Sequence, residues 1–314
     1  MGRSPRVALA AAFVMAGCTG AHSHARAPTP TIGVSRPSTS SPPAPTTSAR
    51  RSVTQVTRST RVTVGTTVVT TLTSSGVERT YRLHTPPSSK TAERAPLVLV
   101  LHGASGNAAR VERRYHWDAL SDRDGFFVVY PQGVLDQWNA ALEPGHVDDV
   151  SFLSALIDHL ARTLHIDSNR VYVAGMSNGG AMTYRIGCAL SNRIAAIAPV
   201  EAWNPGCRPA RPVSMIAVHG LADSQVSFTS AQQSISAWHA YDGCPVEPRT
   251  QRTGPVTHSV WAPCAIGTTV ELYAVAGSGH EWPGSSPPLA GHDPPSHDLD
   301  ATRVIWNFFQ RHRR

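Results

Sequence analysis

The stretch Val171-Tyr-Val-Ala-Gly175-Met-Ser177-Asn-Gly179-Gly180 constrains the fold more than any other part of the chain. An apolar run stops at a Gly-x-Ser-x-Gly, and a helix-forming segment begins at once. Such a nucleophile elbow swings from strand into helix and holds its serine in a strained conformation. Only small residues two before and two after it avoid a clash. The hydroxyl then projects from the carboxyl edge of a sheet. Alone the motif is weak and could be an ordinary tight turn; the strand before it and the helix after it give it weight.

The same alternation runs through residues 61–314. Strands are predicted over Arg79–His84, Leu97–Leu101, Phe126–Tyr130, Arg170–Ala174, Ala195–Val200, Ser214–Val218 and Val270–Val275. Three of these, Leu97–Leu101, Phe126–Tyr130 and Ser214–Val218, are continuous apolar runs, the pattern of strands covered on both faces. Helices are predicted over Asp149–Leu164, Gly179–Leu190, Thr229–Tyr241 and Ala301–Arg311, with Asp148 or Asp149 capping the first and Asp300 the last. The expectation is a single α/β domain over 61–314, with a mostly parallel central sheet flanked by helices.

A serine nucleophile needs a base, and the base needs an orienting acid. In an α/β-hydrolase they follow in the order Ser, acid, His. Asp223, in His219-Gly-Leu-Ala-Asp223, comes just past a predicted strand. His280, in the Gly-rich Ala276-Gly-Ser-Gly279-His280-Glu-Trp282-Pro-Gly284, comes just past the last one. Ser177, Asp223 and His280 are therefore the expected catalytic residues, with activity rising with pH as the base loses its proton. His219 is expected to be structural, and Glu281 to point away from the base. For the oxyanion, the backbone N–H groups of Asn178 and Ala104 are expected donors. Ala104 lies in the Leu101-His102-Gly103-Ala104-Ser105-Gly106 loop, which could also be a plain strand terminator. Trp138 and Trp282 flank these segments and could stack on an acyl group or a sugar, or simply pack the domain.

Charge placement excludes nucleic-acid binding. The formal net charge is +7, yet residues 1–60 hold seven Arg and no acidic residue, and residues 61–314 hold 21 basic and 21 acidic residues. The surplus thus sits on the N-terminal segment, and a folded part without it lacks a face for phosphates. That segment starts as an export signal: Arg3 and Arg6, then ten apolar residues from Val7 to Ala16, too few to span a bilayer. Met15-Ala16-Gly17-Cys18 resembles a bacterial lipobox, with Cys18 lipidated; ordinary cleavage after Ala25-Arg26-Ala27 is the competing reading. The expected domains are a signal over 1–18, a Pro/Ser/Thr-rich basic tether over 19–60 and the catalytic domain beyond it. The tether has too few apolar residues to offset its ordering entropy.

Export implies an oxidising compartment. Cys188, Cys207, Cys244 and Cys264 then allow three connectivities. Cys188–Cys207 and Cys244–Cys264 are expected, because each closes a short loop and contributes about 3 kcal/mol in the chain-entropy model. Zinc is not expected, since no two Cys stand at C-x-x-C spacing. The segment His292-Asp-Pro-Pro-Ser-His297-Asp298 is expected to be an exposed loop with no metal.

Taken together, LHG at 101–103, Trp138-Asn139, Asp148-Asp149-Val150-x-Phe152, Gly175-Met-Ser-Asn-Gly-Gly180, His219-Gly-x-x-Asp223 and Gly279-His-x-Trp-Pro-Gly284 resemble one family of secreted esterases. It comprises polyhydroxybutyrate depolymerases and the feruloyl and acetylxylan esterases of carbohydrate esterase family one. The start of the chain, its single Lys against 27 Arg, and the linker are most similar to mycobacterial lipoproteins of the LpqC type. The resemblance covers about residues 75–310. It implies an α/β-hydrolase with Ser177, Asp223 and His280 as its triad, no cofactor, and an ester as its partner. One stretch departs from the pattern: relatives often carry Cys between the Trp-Asn and Asp-Asp-Val motifs, where this chain has 140–147 without one.

The expected function is a secreted or lipid-anchored, monomeric serine carboxylesterase. Contact with the membrane is expected only through the N-terminal lipid. A non-catalytic surface-anchored binding protein on the same fold is the alternative, disfavoured by the complete triad. No long lid insertion argues for a lipase. No added substrate-binding domain is seen, so a small or short oligomeric ester is expected over a solid polymer.

Overall fold

The computed structural model of the chain describes residues 64–90, 93–289 and 291–314. The expected signal, tether and Cys18 lie outside the described residues. Ten strands form one sheet: β1 (Thr66–Ser74), β2 (Val77–Thr85), β3 (Ala95–Leu101), β4 (Phe127–Pro131), β5 (Ile166–Met176), β6 (Ala196–Val200), β7 (Ser214–Gly220), β8 (Arg249–Thr253), β9 (Val256–Trp261) and β10 (Val270–Val275). Their order is β1-β2-β4-β3-β5-β6-β7-β10-β9-β8. The run from β4 to β10 is parallel, and an antiparallel hairpin extends it on each side.

Helices cover both faces. On one lie α3 (Asp149–Thr163), α4 (Asn178–Ala189) and α5 (Phe228–Tyr241); on the other α1 (Ala108–Tyr115), α2 (Trp117–Asp124) and α6 (Ala301–Phe309). The alternation of β3 divides the core. Leu97, Leu99 and Leu101 pack with Phe152, Leu156 and Trp238, while Val98 and Val100 pack with Val111, Trp117 and Trp306. All five β3 residues have no exposed surface. This is why a strand buried on both faces reads as an unbroken apolar run. Asp148 caps α3, its carboxylate accepting from Ser151 N–H, and Asp300 caps α6 through Arg303 N–H.

The seven predicted strands and four predicted helices all form. Five elements were not predicted: β1, β8, β9, α1 and α2. Every residue of β8 is exposed, and most of β1 is too. Neither strand alternates toward a core, so neither carries the period-2 signal. Pairing comes instead from the Ser75-Gly76 turn, where φ is 49° and 77°, and from the turn at Gly254, where φ is 56°. The helices α1 and α2 are only eight residues each, with a left-handed His116 between them.

Both disulfides pair as expected, Cys188 with Cys207 and Cys244 with Cys264. The first ties α4 to the loop after β6. The second ties the end of α5 to the β9–β10 connection, where Ala265 N–H also donates to the Asp242 carbonyl, 2.8 Å. The Asp242 side chain is fully buried. One oxygen accepts from Val213 N–H at 3.2 Å and the other has no partner. Burial pushes this carboxyl up to about 7. An unfolded Asp loses its proton near pH 3.9. Between these values the folded state binds the extra proton, so its stability falls as pH rises from about 4 to 7, by a few kcal/mol. Wild type should lose that amount relative to Asp242→Asn between pH 5 and 8 in urea unfolding. Parallel stability curves for the two would count against the buried neutral carboxyl.

Candidate active site

The expected residues converge at the carboxyl ends of the parallel strands. Ser177 follows β5, with φ 56° and ψ −121°, and its N–H donates to Val200 O at 2.9 Å. This is the strained elbow, and its glycines are obligatory. A Cβ on Gly175 would lie 2.4 Å from Gly179 O, and one on Gly179 would lie 2.3 Å from His102 O. Asp223 follows β7 and His280 follows β10. Asp223 Oδ2 stands 2.7 Å from His280 Nδ1, and Oδ1 accepts from Gln225 and Val226 N–H at 2.8 and 2.9 Å. Burial pushes the Asp223 carboxyl up, but the bonds from His280 and Val226 outweigh it and hold the group at about 2. Nδ1 of His280 therefore faces an ionised acceptor, which leaves Nε2 as the proton-accepting nitrogen.

Ser177, His280, His102, Gly103 and Ala104 line one cavity of about 110 Å³, with Tyr115 and Met176 among its other walls. A Cβ on Gly103 would lie 3.4 Å from Ser177 Cβ, so the Gly103-Ala104 turn sits directly against the serine. His102 fixes that turn. Its Nε2 accepts from Gly133 N–H at 2.9 Å, so Nδ1 carries the proton and donates to Gly103 O at 2.8 Å. Asn178 opens α4, so its N–H has no intrahelical acceptor.

Several braces of this site were not read from the sequence. Asp293 Oδ2 accepts from His280 N–H at 2.7 Å, and a Cβ on Gly279 would lie 2.1 Å from that oxygen, so a larger residue there would displace the brace. Arg114, buried on α1, donates to Glu281 at 3.0 Å, to Pro287 O at 2.8 Å and to Ser285 Oγ at 3.3 Å, pinning the His280 loop. Glu281 is engaged by Arg114, and it lines the same cavity as Ser177 and His280. His219 is buried and donates from Nε2 to Val226 O at 2.9 Å, in keeping with a structural role. The 292–298 segment contributes its Asp293 as a brace. Among the described residues the one triplet with metal-ligand proximity is Glu201, His219 and Asp223, and Asp223 is already engaged with His280.

Of the two tryptophans, Trp282 requires correction. Trp282 has no exposed surface; it stacks on Tyr115 at 4.2 Å and donates to Thr302 Oγ1 at 3.0 Å. It packs the core and offers no stacking face. Trp138 is 4% exposed; it lines a cavity beside Asn178 and also holds the site's loops. Its indole N–H donates to His102 O at 2.9 Å, and its backbone exchanges two bonds with the Asn178 amide, 2.8 and 3.0 Å. The exposed tryptophan is Trp203, after β6; a loop Trp has no periodic signal to mark it in the sequence. Trp203 is 36% exposed. It lines a second cavity of about 600 Å³ beside Asn178, together with Leu135, Gln137 and Pro205. Arg185 of α4 holds both walls, donating to Ala140 O at 2.7 Å and to Pro205 O at 3.2 Å. A cavity of similar size, about 580 Å³, lies around Arg94, Asp122 and Arg170 and contains none of these groups, so volume alone does not locate the site.

Residues 79–200 match the model of the family described as Esterase PHB depolymerase. Over 208 residues the chain is 30% identical to a bifunctional acetylxylan esterase/xylanase of Neocallimastix patriciarum; this is 63% of the chain and 30% of that larger protein. It is 28% identical over 217 residues to feruloyl esterase D of Neurospora crassa, 68% of the chain and 71% of that protein. The solved acetyl xylan esterase from Aspergillus awamori superposes with a TM-score of 0.61 at 16% identity, covering 78% of the chain and all of that structure. The fold is the α/β-hydrolase fold.

Proposed function

We propose that this chain is a serine carboxylic ester hydrolase with Ser177 as nucleophile, His280 as base and Asp223 as the orienting acid. The observation that carries the reading is the 2.7 Å Asp223–His280 contact beside a serine held at φ 56° on the same cavity. Ser177 Oγ attacks the ester carbonyl carbon while its proton passes to His280 Nε2. The N–H groups of Asn178 and Ala104 receive the oxyanion. Collapse returns the proton to the departing alcohol and leaves an acyl-serine, which water hydrolyses by the same two steps.

The compact cavity at Ser177 suits a short acyl group, and the larger one beside Asn178, with the exposed face of Trp203, suits a bulkier or oligomeric alcohol. Acetyl- and hydroxybutyryl-type esters fit this division better than a feruloyl group in the compact cavity. The relatives named as esterases support the reaction class. Two disulfides fit an exported protein. Residues 61–314 act as one catalytic domain in this reading, tethered by 19–60 to a lipid on Cys18 in the manner of LpqC-type lipoproteins. Release of Cys18→Ala from the membrane fraction tests that anchor.

Titration with a fluorophosphonate, followed by peptide mapping, should place the label on Ser177. An ester panel should then show acetyl and hydroxybutyryl esters turning over faster than feruloyl esters. An unlabelled Ser177 in folded protein would sink the assignment; a feruloyl preference would sink only the substrate reading.

A further inference from the structure

Behind Asp223 lies a second buried carboxyl, that of Glu201, at the carboxyl end of β6. Glu201 has no exposed surface, and its backbone is held at φ 46° with its N–H donating to Val218 O at 3.0 Å. Both side-chain oxygens accept from Gly220 N–H, at 2.9 and 3.0 Å. Its carboxyl and that of Asp223 flank one nitrogen: His219 Nε2 stands 3.5 Å from Glu201 Oε2 and 3.7 Å from Asp223 Oδ2. Carboxyl oxygens of both and a nitrogen of His219 all lie within 4.8 Å of one another.

Among the described residues, the titratable groups that act on Glu201 come from the end of β7, the loop after it and the 291–298 loop, and these are acids and imidazoles. From the β7 end, His219 Nε2 stands 3.5 Å from Glu201 Oε2. That nitrogen donates to Val226 O, and burial lowers the ring's affinity for a second proton, so His219 is neutral. From the loop after β7 comes Asp223, and from the 291–298 loop comes Asp293, a further negative influence. His280 stands beyond Asp223 and bonds to it. Two carboxylates that share a buried site cannot both ionise; one keeps its proton. Asp223 is the one with an imidazole and two backbone N–H donors, whereas Glu201 has a single N–H donor.

We propose that Glu201 is a positioning residue of the site: its carboxyl stays protonated, is held by Gly220 N–H, and donates a hydrogen bond to the Asp223 carboxylate that fixes the orientation presented to His280. Burial and the neighbouring acid both push the Glu201 carboxyl well above the usual carboxylate range, in agreement with this geometry. The role rests on the triad reading given above, but the state of Glu201 can be measured without it. A protonated acid here gives Asp223 one more donor while adding no charge beside the base. An ionised one would add a second negative charge behind the imidazolium.

The two states differ in what Glu201→Gln does. Glutamine keeps a donor for Asp223 and an acceptor for Gly220 N–H, and it is neutral. If Glu201 is protonated, Glu201→Gln keeps kcat within about threefold, and the acid limb of its kcat/KM profile stays where wild type has it. If Glu201 were ionised, removing that anion would move the limb to lower pH, and a shift beyond about half a unit overturns the proposal. Glu201→Leu, which removes the donor, should lower kcat tenfold or more with KM little changed, and move the limb to higher pH, since Asp223 then holds the imidazolium more strongly. Wild-type kcat and limb in a folded Glu201→Leu also overturn it. Should Glu201→Leu fail to fold, the infrared difference spectrum of folded wild type minus Glu201→Gln at pH 7 decides. It should contain the carbonyl stretch of a protonated carboxyl, and a carboxylate band in its place overturns the proposal. That spectrum reads Glu201 whether or not the chain hydrolyses esters, so failure here and failure of the esterase reading are separable.

Discussion

Ser177→Ala is expected to lower kcat for ester hydrolysis by about four powers of ten or more, because no neighbouring group can take over as nucleophile once a triad serine is gone. At 1.36 kcal/mol per tenfold, that is at least about 5 kcal/mol of lost transition-state stabilisation. The fold should be unaffected. The elbow's strain is set by φ 56° and by the backbone bond from Ser177 N–H to Val200 O, and both serine and alanine carry a Cβ in that conformation. Circular dichroism and thermal unfolding should therefore superpose on wild type. A variant free of wild-type contamination that keeps more than about a tenth of the activity would falsify the nucleophile assignment.

The largest stability effect is expected at Arg114, far from Ser177 in sequence but behind the same site. Its guanidinium and the Glu281 carboxylate are 5% and 2% exposed, 3.0 Å apart. Removing one partner of a buried pair strands the other charge, which costs about 3–5 kcal/mol. Arg114→Met should therefore lose that much in denaturant unfolding, and the loop carrying His280 should loosen with it, lowering kcat. An exposed pair shows the contrast. Arg123 and Asp124 lie 2.7 Å apart with the Arg 61% exposed, and breaking that pair should move stability by less than about 1 kcal/mol. The double variant Arg114→Met/Glu281→Leu should recover much of the loss, since a buried pair exchanged for apolar groups is often neutral. A single-variant loss under about 1 kcal/mol would show that water reaches Glu281 and compensates it.

How much of this was legible in the residue string follows from the range of each interaction. The elbow is a local event: ten consecutive residues hold the strand, the strained serine, the glycines and the helix start, so Ser177 and Asn178 could be placed from the string. The continuous apolar runs of β3, β4 and β7 are likewise local consequences of burial on two faces, and they fixed the sheet's parallel core. That Asp223 and His280 meet could be expected from order along the chain, because each follows a strand whose carboxyl end must reach the same edge. The disulfides were found because a short loop closes more readily than a long one.

The tertiary structure decided what depends on neighbours distant in the chain. The outer strands β1 and β8 are strands by pairing alone; their exposed residues carry no burial pattern to read. Which tryptophan meets solvent is a property of its surroundings. Trp282 looked available beside His280 but is enclosed by Tyr115 and Trp117 from another part of the chain, while Trp203 is open. Arg114 meets Glu281 across 167 positions, and Glu201 comes to rest behind Asp223 only because β6 and β7 are neighbours in the sheet. Periodicity records which face a residue turns inward; it carries no record of which distant charge will be waiting there.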